Sequence, residues 1–295
     1  MSQLYTTSRA RRRPRAQESL STLLHHASKP AQVFTIDPVA PEPLVCHPHL
    51  RIHIPEGAMR TLSGKISQQP VKVAIKLLHD PREALLAGWS IQAGTRPLHH
   101  YGAFSWQLSS QNQPIHLLHP ATAFLPASET VTQPQWFQAR TADIQSQDHG
   151  TMKTWSRLTS DIPGSKRIQG QRHMAFSLPK NGIFAWGIPY TARQSNVMLS
   201  VRAFGSFNHL DESLAYLIFD REHAVIQMHH GRRCSFSGFN LPANQPAWLL
   251  VLGYRNGQCY LGQKRLSPLH NRIESIELST VSAPLMIEAI RSILC

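Results

Sequence analysis

Apolar and polar residues alternate with a period of two over much of this chain. Leu50, Ile52 and Ile54 alternate with Arg51 and His53, and Val71, Val73, Ile75 and Leu77 alternate with Lys72, Ala74 and Lys76. That period predicts half-buried strands. Residues 247–252 are apolar on both alternating faces, which predicts a strand buried on two sides. Asn256-Gly257 follows, a pair that accepts positive φ, so 259–263 is expected to return as the second arm of a hairpin. Further strands are expected over 197–204, 215–219, 224–228 and 273–278, with apolar segments around Trp89, Ile91 and 104–108. Helices are few. Leu20, Leu23 and Leu24 share one face of a short helix over 19–27. Asp80-Pro81 opens another through Leu86, and Ser282, with Pro284 in the first turn, caps one that closes the chain.

Charge and punctuation divide this pattern into regions. The chain has 295 residues with 30 Lys+Arg against 17 Asp+Glu, a formal net charge of +13. Residues 1–40 carry +4, 41–133 carry +2 and 134–295 carry +7. Arg9, Arg11, Arg12, Arg13 and Arg15 cluster around Pro14 in a segment too polar to build a core, so 1–40 reads as a basic arm and linker. Arginine forks onto phosphate oxygens, and these five are the candidate polyanion and nucleic-acid contacts. Pro38, Pro41 and Pro43 stiffen the way into a small antiparallel β domain over 41–133. No apolar run reaches the ~20 residues that span a bilayer. Met1 to Arg15 is Arg-rich and lacks the apolar core of a secretory signal, and a mitochondrial presequence over 1–30 is the alternative. The four cysteines are scattered, with reduced thiols as the default; Cys234 and Cys259 are the two that could meet across a sandwich, and the sequence leaves their pairing open.

From 134 onward the motifs resemble a known family. Trp136-Phe137-Gln138-Ala139-Arg140-Thr141-Ala142-Asp143-Ile144, followed by Gly150-Thr151-Met152-Lys153-Thr154-Trp155-Ser156-Arg157-Leu158, is similar to the opening of bacterial and phage concanavalin-like (laminin-G-like) lectin domains. His173-Met174-Ala175-Phe176 stands where that family has an "A-L-x-F-D-G" strand, and the hairpin around Asn256-Gly257 resembles its late hairpin. Ser177-Leu178 replaces the acidic-Gly pair and Ser156-Arg157 replaces an expected Asp, so no calcium role carries over. The resemblance implies a mainly β protein: a jelly-roll sandwich over 134–295 with a short C-terminal helix, behind the smaller β domain and the basic arm.

Candidate chemistry is sparse. The adjacent pairs His25-His26, His99-His100 and His229-His230, and Cys46-His47-Pro48-His49, lack the spacing of a metal site. Glu274 and Glu277 are three apart and face opposite sides of a strand, unlike the two close carboxylates of a retaining glycosidase. Asp220-Arg221-Glu222-His223 lacks the further carboxylates of two-metal hydrolysis. Ligand contact is expected instead from loop-end aromatics and arginines: Trp186, Tyr190, Arg193, Arg232, Arg233 and Tyr254. The reading is a non-catalytic structural or attachment component of a larger assembly, most concretely a phage or virion protein. It has no catalytic residues, cofactor or metal; its partners are other subunits, a glycan or anionic surface, and nucleic acid through the arm. The alternative is a cytoplasmic, nucleic-acid-associated accessory protein of a ribonucleoprotein complex. A glycan-processing enzyme is disfavoured by the missing carboxylate pair.

Overall fold

The computed structural model describes residues 19–46, 50–90, 92–93, 96–126, 135–139, 155–158, 164–168, 170–190, 195–207, 209–219, 224–267 and 270–293. The alternating strands of the first part build two sheets. One runs β1 (Gln32–Ile36), β5 (Val71–Leu78), β7 (Arg96–Ser110), β15 (Gly182–Pro189), β11 (Gln135–Ala139) and β12 (Trp155–Arg157), each antiparallel to the next. The short β6 (Gln92–Ala93) and β8 (Gln113–Pro114) pair with β7. The other sheet runs β13 (Gly164–Ile168), β14 (Gln171–Leu178), β10 (Ala121–Pro126), β3 (Leu50–His53) and β2 (Leu44–Cys46), again antiparallel. β4 (Met59–Arg60) and β9 (His116–Leu117) form a separate pair. Val73, Ile75, Phe104 and Trp106 of the first sheet share a core with Ile52, Ala123 and Phe176 of the second. Trp136 stacks on Phe176 with centroids 4.2 Å apart, joining the two sheets.

The second part curls into one sheet. Its strands are β16 (Ser195–Gly205), β17 (Glu212–Phe219), β18 (Ala224–Gln227), β19 (His229–His230), β20 (Ser235–Pro242), β21 (Ala247–Arg255), β22 (Gln258–Leu266) and β23 (Arg272–Val281). The order is β18-β17-β21-β22-β23-β16-β20-β19, antiparallel except for β16 beside β23. Only Met228 separates β18 from β19, and its N–H bonds to the Ala215 carbonyl at 2.8 Å. The two ends of the path are thus one run of chain, and the sheet is a nearly closed barrel. Leu199, Val201, Leu217, Phe219, Leu249 and Val251 fill its interior. At the β21–β22 turn, Asn256 and Gly257 have φ of 49° and 82°, the two positive values a tight hairpin requires.

Half of the barrel's outer wall is apolar as well. Tyr216, Ile218, Val225, Leu250 and Leu252 pack beneath three helices, α1 (Leu20–Ala27), α2 (Pro81–Leu86) and α3 (Ala283–Ser292). This layer explains why 247–252 is apolar on both faces. Each helix opens on a capping side chain, Ser19, Asp80 and Ser282 accepting first-turn N–H groups through side-chain oxygens; the Ser282 cap is the one its sequence predicts. Gln227 ties the barrel to the first part, its N–H meeting Ser90 Oγ at 3.0 Å and its carbonyl accepting from Gln92 Nε2 at 3.3 Å.

The expected boundary near 133 does not fall between sheets. β14 pairs with β10 and β15 with β7, both from before 133, and β11 and β12 join the same sheet through β15, so the stretch read as one jelly roll is divided between the two parts. Alternation marks a strand and its buried face; it does not name the partner strand. Cys234 and Cys259 form no disulfide. Cys259 lies in the cluster under the helices, whereas Cys234 packs against the barrel interior, so the wall stands between them.

Candidate functional site at the barrel mouth

At one end of the barrel the interior stays open. A Cβ on Gly205 would come within 2.6 Å of the Leu278 carbonyl and 2.7 Å of the Phe207 ring; one on Gly253 would come within 2.6 Å of Leu210. These glycines let the connection between β16 and β17 fold down onto the mouth. Phe207 sets its ring edge-on to Tyr260, centroids 5.4 Å apart. Above lies a cleft of about 540 Å³ with Ala203, Gly205, Phe207 and Leu210 as its apolar lining.

The polar side of the cleft comes from strand ends. Ser213 occupies an inward position of β17, two before Ala215 of the interior cluster. Its hydroxyl lies 3.0 Å from His230 Nε2. His230 in turn packs edge-on against Phe236 at 5.2 Å, while His229 turns outward to Phe239 at 5.7 Å. Arg233, Cys234 and His209 complete this side.

The turn that presents Arg233 and Cys234 is strained. Gly231 and Ser235 close it with a 2.7 Å backbone hydrogen bond, and both Arg233 and Cys234 have φ of 53°. Left-handed backbone costs an ordinary L-residue about 1–2 kcal/mol, and hairpin turns usually place Gly, Asn or Asp there. Here Arg233 and Cys234 occupy those positions and both line the cleft. Burial pushes the Cys234 thiol up, and hydrogen bonds with the Leu210 backbone and the Ser213 side chain pull only partly against it. A thiol held protonated is a hydrogen-bonding group and a poor nucleophile. Among the described residues, no three His, Cys, Asp or Glu side chains converge as a metal site would need.

The residues predicted from sequence fall unevenly around this cleft. Arg233 lines it, and Arg232 is exposed in the same turn. Trp186, Tyr190 and Tyr254 are buried, at 7%, 6% and 5% exposure, which corrects their expected place at open loop ends. Trp186 belongs to the aromatic core of the first part, over Gly102 and 5.9 Å from Trp136. Tyr254 points outward from β21 into the cluster beneath the helices. Their neighbouring Gly and Pro residues suggested loops, but β15 continues through Gly187 and β21 through Gly253, and Tyr190 is buried just past the end of β15. Arg193, the arm residues Arg9, Arg11, Arg12, Arg13 and Arg15, and 220–223 lie outside the described residues. Sequence reasoning missed Ser213, His209 and Cys234; the one available signal was Arg-Arg-Cys in a hairpin turn that favours small residues. Glu274 and Glu277 do face opposite sides. Glu274 is buried with Lys264 at 2.6 Å and Arg272 at 2.5 Å, while Glu277 is exposed.

No family model and no curated protein matches this chain. Among solved structures it is similar to the Bacillus anthracis TIE protein, with a TM-score of 0.23 and 9% identity over 86% of this chain. It is also similar to the pullulanase from Anoxybacillus sp. LM18-11, alone and complexed with maltotriose, with a TM-score of 0.17 and 13% identity over 49% of this chain. The chain spans 35% of the first protein and 24% of the second. Likenesses at these scores define no shared fold. No helix among the described residues is long and apolar enough to cross a membrane.

Proposed function

We propose that this chain is a non-catalytic structural or attachment component of a larger assembly and meets its ligand at the barrel mouth. A phage or virion particle protein is the most concrete form of this reading. The observation that carries it is the cleft itself: its described lining offers an arginine, two histidines, a hydroxyl, aromatic rings and a protonated thiol, and no carboxylate. Such groups hold a ligand, whereas glycoside hydrolysis needs two carboxylates across the bond. Barrel mouths with a few convergent polar groups are common ligand sites. The motif resemblance of 134–295 to concanavalin-like jelly rolls supports a lectin-like role. The arginines of the arm suit contact with the nucleic acid of a particle, and the same charge supports the ribonucleoprotein alternative.

The test is to fractionate native source material by size and identify the chain by mass spectrometry. It should sediment with a particle or large complex of other subunits. Recovery as a free monomer that turns over a glycan defeats the proposal.

A further inference from the structure

We propose that the barrel mouth takes a small anionic ligand with an apolar body, its head a carboxylate or phosphate. This rests on the reading of the mouth as the contact site. The lining is divided to match: Ala203, Phe207 and Leu210 offer an apolar floor, while Ser213, His230 and Arg233 stand together on the polar side. Arg233 is exposed and has no ion-pair partner among the described residues. A guanidinium in that position forks onto two oxygens of a planar carboxylate or a phosphate, a geometry a neutral sugar hydroxyl does not supply.

Nearby acid does not cancel this cation. Asp211 is engaged elsewhere: one oxygen accepts the Asn256 N–H at 3.0 Å and the other lies 3.9 Å from His209. The Ser213 hydroxyl, 3.0 Å from His230, can turn its proton to the ligand while accepting from the imidazole. A net charge of +13 attracts anions at longer range. The cleft volume of about 540 Å³ accommodates one ring with its head group.

Calorimetric titration of the full chain with phenyl phosphate, benzoate and benzyl alcohol tests the class directly. Both anions should bind about tenfold or more tightly than the neutral alcohol, and Arg233→Gln should remove that margin. The stronger of the two anions then identifies the head group. Equal binding of all three, or an Arg233→Gln variant that binds the anions unchanged, overturns the anion class. The contact-site reading is tested separately by alkylating Cys234 at alkaline pH, where its raised thiol ionises, in a Cys295→Ser background in which Cys46 and Cys259 are buried. The adduct should abolish probe binding and attachment to the native assembly. Intact attachment with a blocked cleft overturns the mouth as contact site, whatever the probes show.

Discussion

Arg233→Asn should make the protein more stable, although it removes a cation and several methylenes. Arg233 sits at φ 53°, in left-handed backbone that costs an ordinary residue about 1–2 kcal/mol. Asn tolerates that conformation and avoids the extra unfolded-state entropy of Gly, which returns roughly 0.5–1 kcal/mol of any gain. The lost side chain is exposed and has no ion-pair partner among the described residues, so little is given up. The expected net gain is about 0.5–1 kcal/mol, which for a chain of this size raises Tm by roughly 1–4 °C. Urea unfolding followed by circular dichroism gives the free energy, and a thermal scan gives the shift. An unchanged denaturant slope would show that the compactness of the two states is the same. A loss of stability would refute the reasoning: the side chain would then be packing the turn, and its exposure over the cleft would no longer argue for a ligand.

Two further predictions concern the parts that hold the site in place. Gly102→Ala should destabilise the first part by about 1–3 kcal/mol, because a Cβ there runs into the Trp186 ring, itself locked among Phe104, Trp136 and His79; a silent substitution in urea unfolding would return Trp186 to a mobile position. Stability should also fall in two acid steps. Burial, then Lys76 and His26, lower the His25 pKa, so folding opposes its protonation and stability drops as pH falls below the ordinary histidine range. Burial alone would raise the Asp80 pKa, but hydrogen bonds and charge from Arg82, with Lys29, hold it low. Its contribution is therefore present at neutral pH and is lost as pH falls through the carboxylate range. His25→Gln should remove the first step and Asp80→Asn the second; a pH profile identical to wild type in both variants would contradict these assignments.

Local order was readable from the chain because local chemistry decides it. Asp80-Pro81 and Ser282 place two helix starts, Asn256-Gly257 places a turn, and the 50–54 and 71–77 alternations place strands and their buried faces. Pairing was not readable. β15 inserts between β7 and β11 through contacts some 80 residues apart on one side and 50 on the other, and nothing in its apolar sequence distinguishes those neighbours from the barrel strands. The aromatic residues misled for a related reason. Trp186 stands before Gly187, where a loop is the ordinary expectation, but the register merely shifts there and the strand continues. The site was partly visible in Arg233. Ser213, His230 and Cys234 are ordinary residues in sequence, and only closure of the barrel brings them to one rim.

The two ends of the barrel show why the cleft, rather than some other polar spot, carries the functional reading. An interior lined by Leu, Val and Phe has room for polar side chains only where strands end and water can reach. Both ends use that room. At the far end Glu274 turns inward and meets both Lys264 and Arg272, so the charges there answer one another within the protein. At the mouth the Ser213, His230 and Cys234 groups bond among themselves, yet Arg233 is left facing outward over open space. A structural network needs partners of both signs, and the far end supplies them. The mouth instead combines a cation, an apolar floor and a backbone held in an unfavourable conformation. Strain of this kind persists where the surrounding fold enforces it, and it collects at ligand sites. The complementary charge at the mouth is therefore expected from outside the chain.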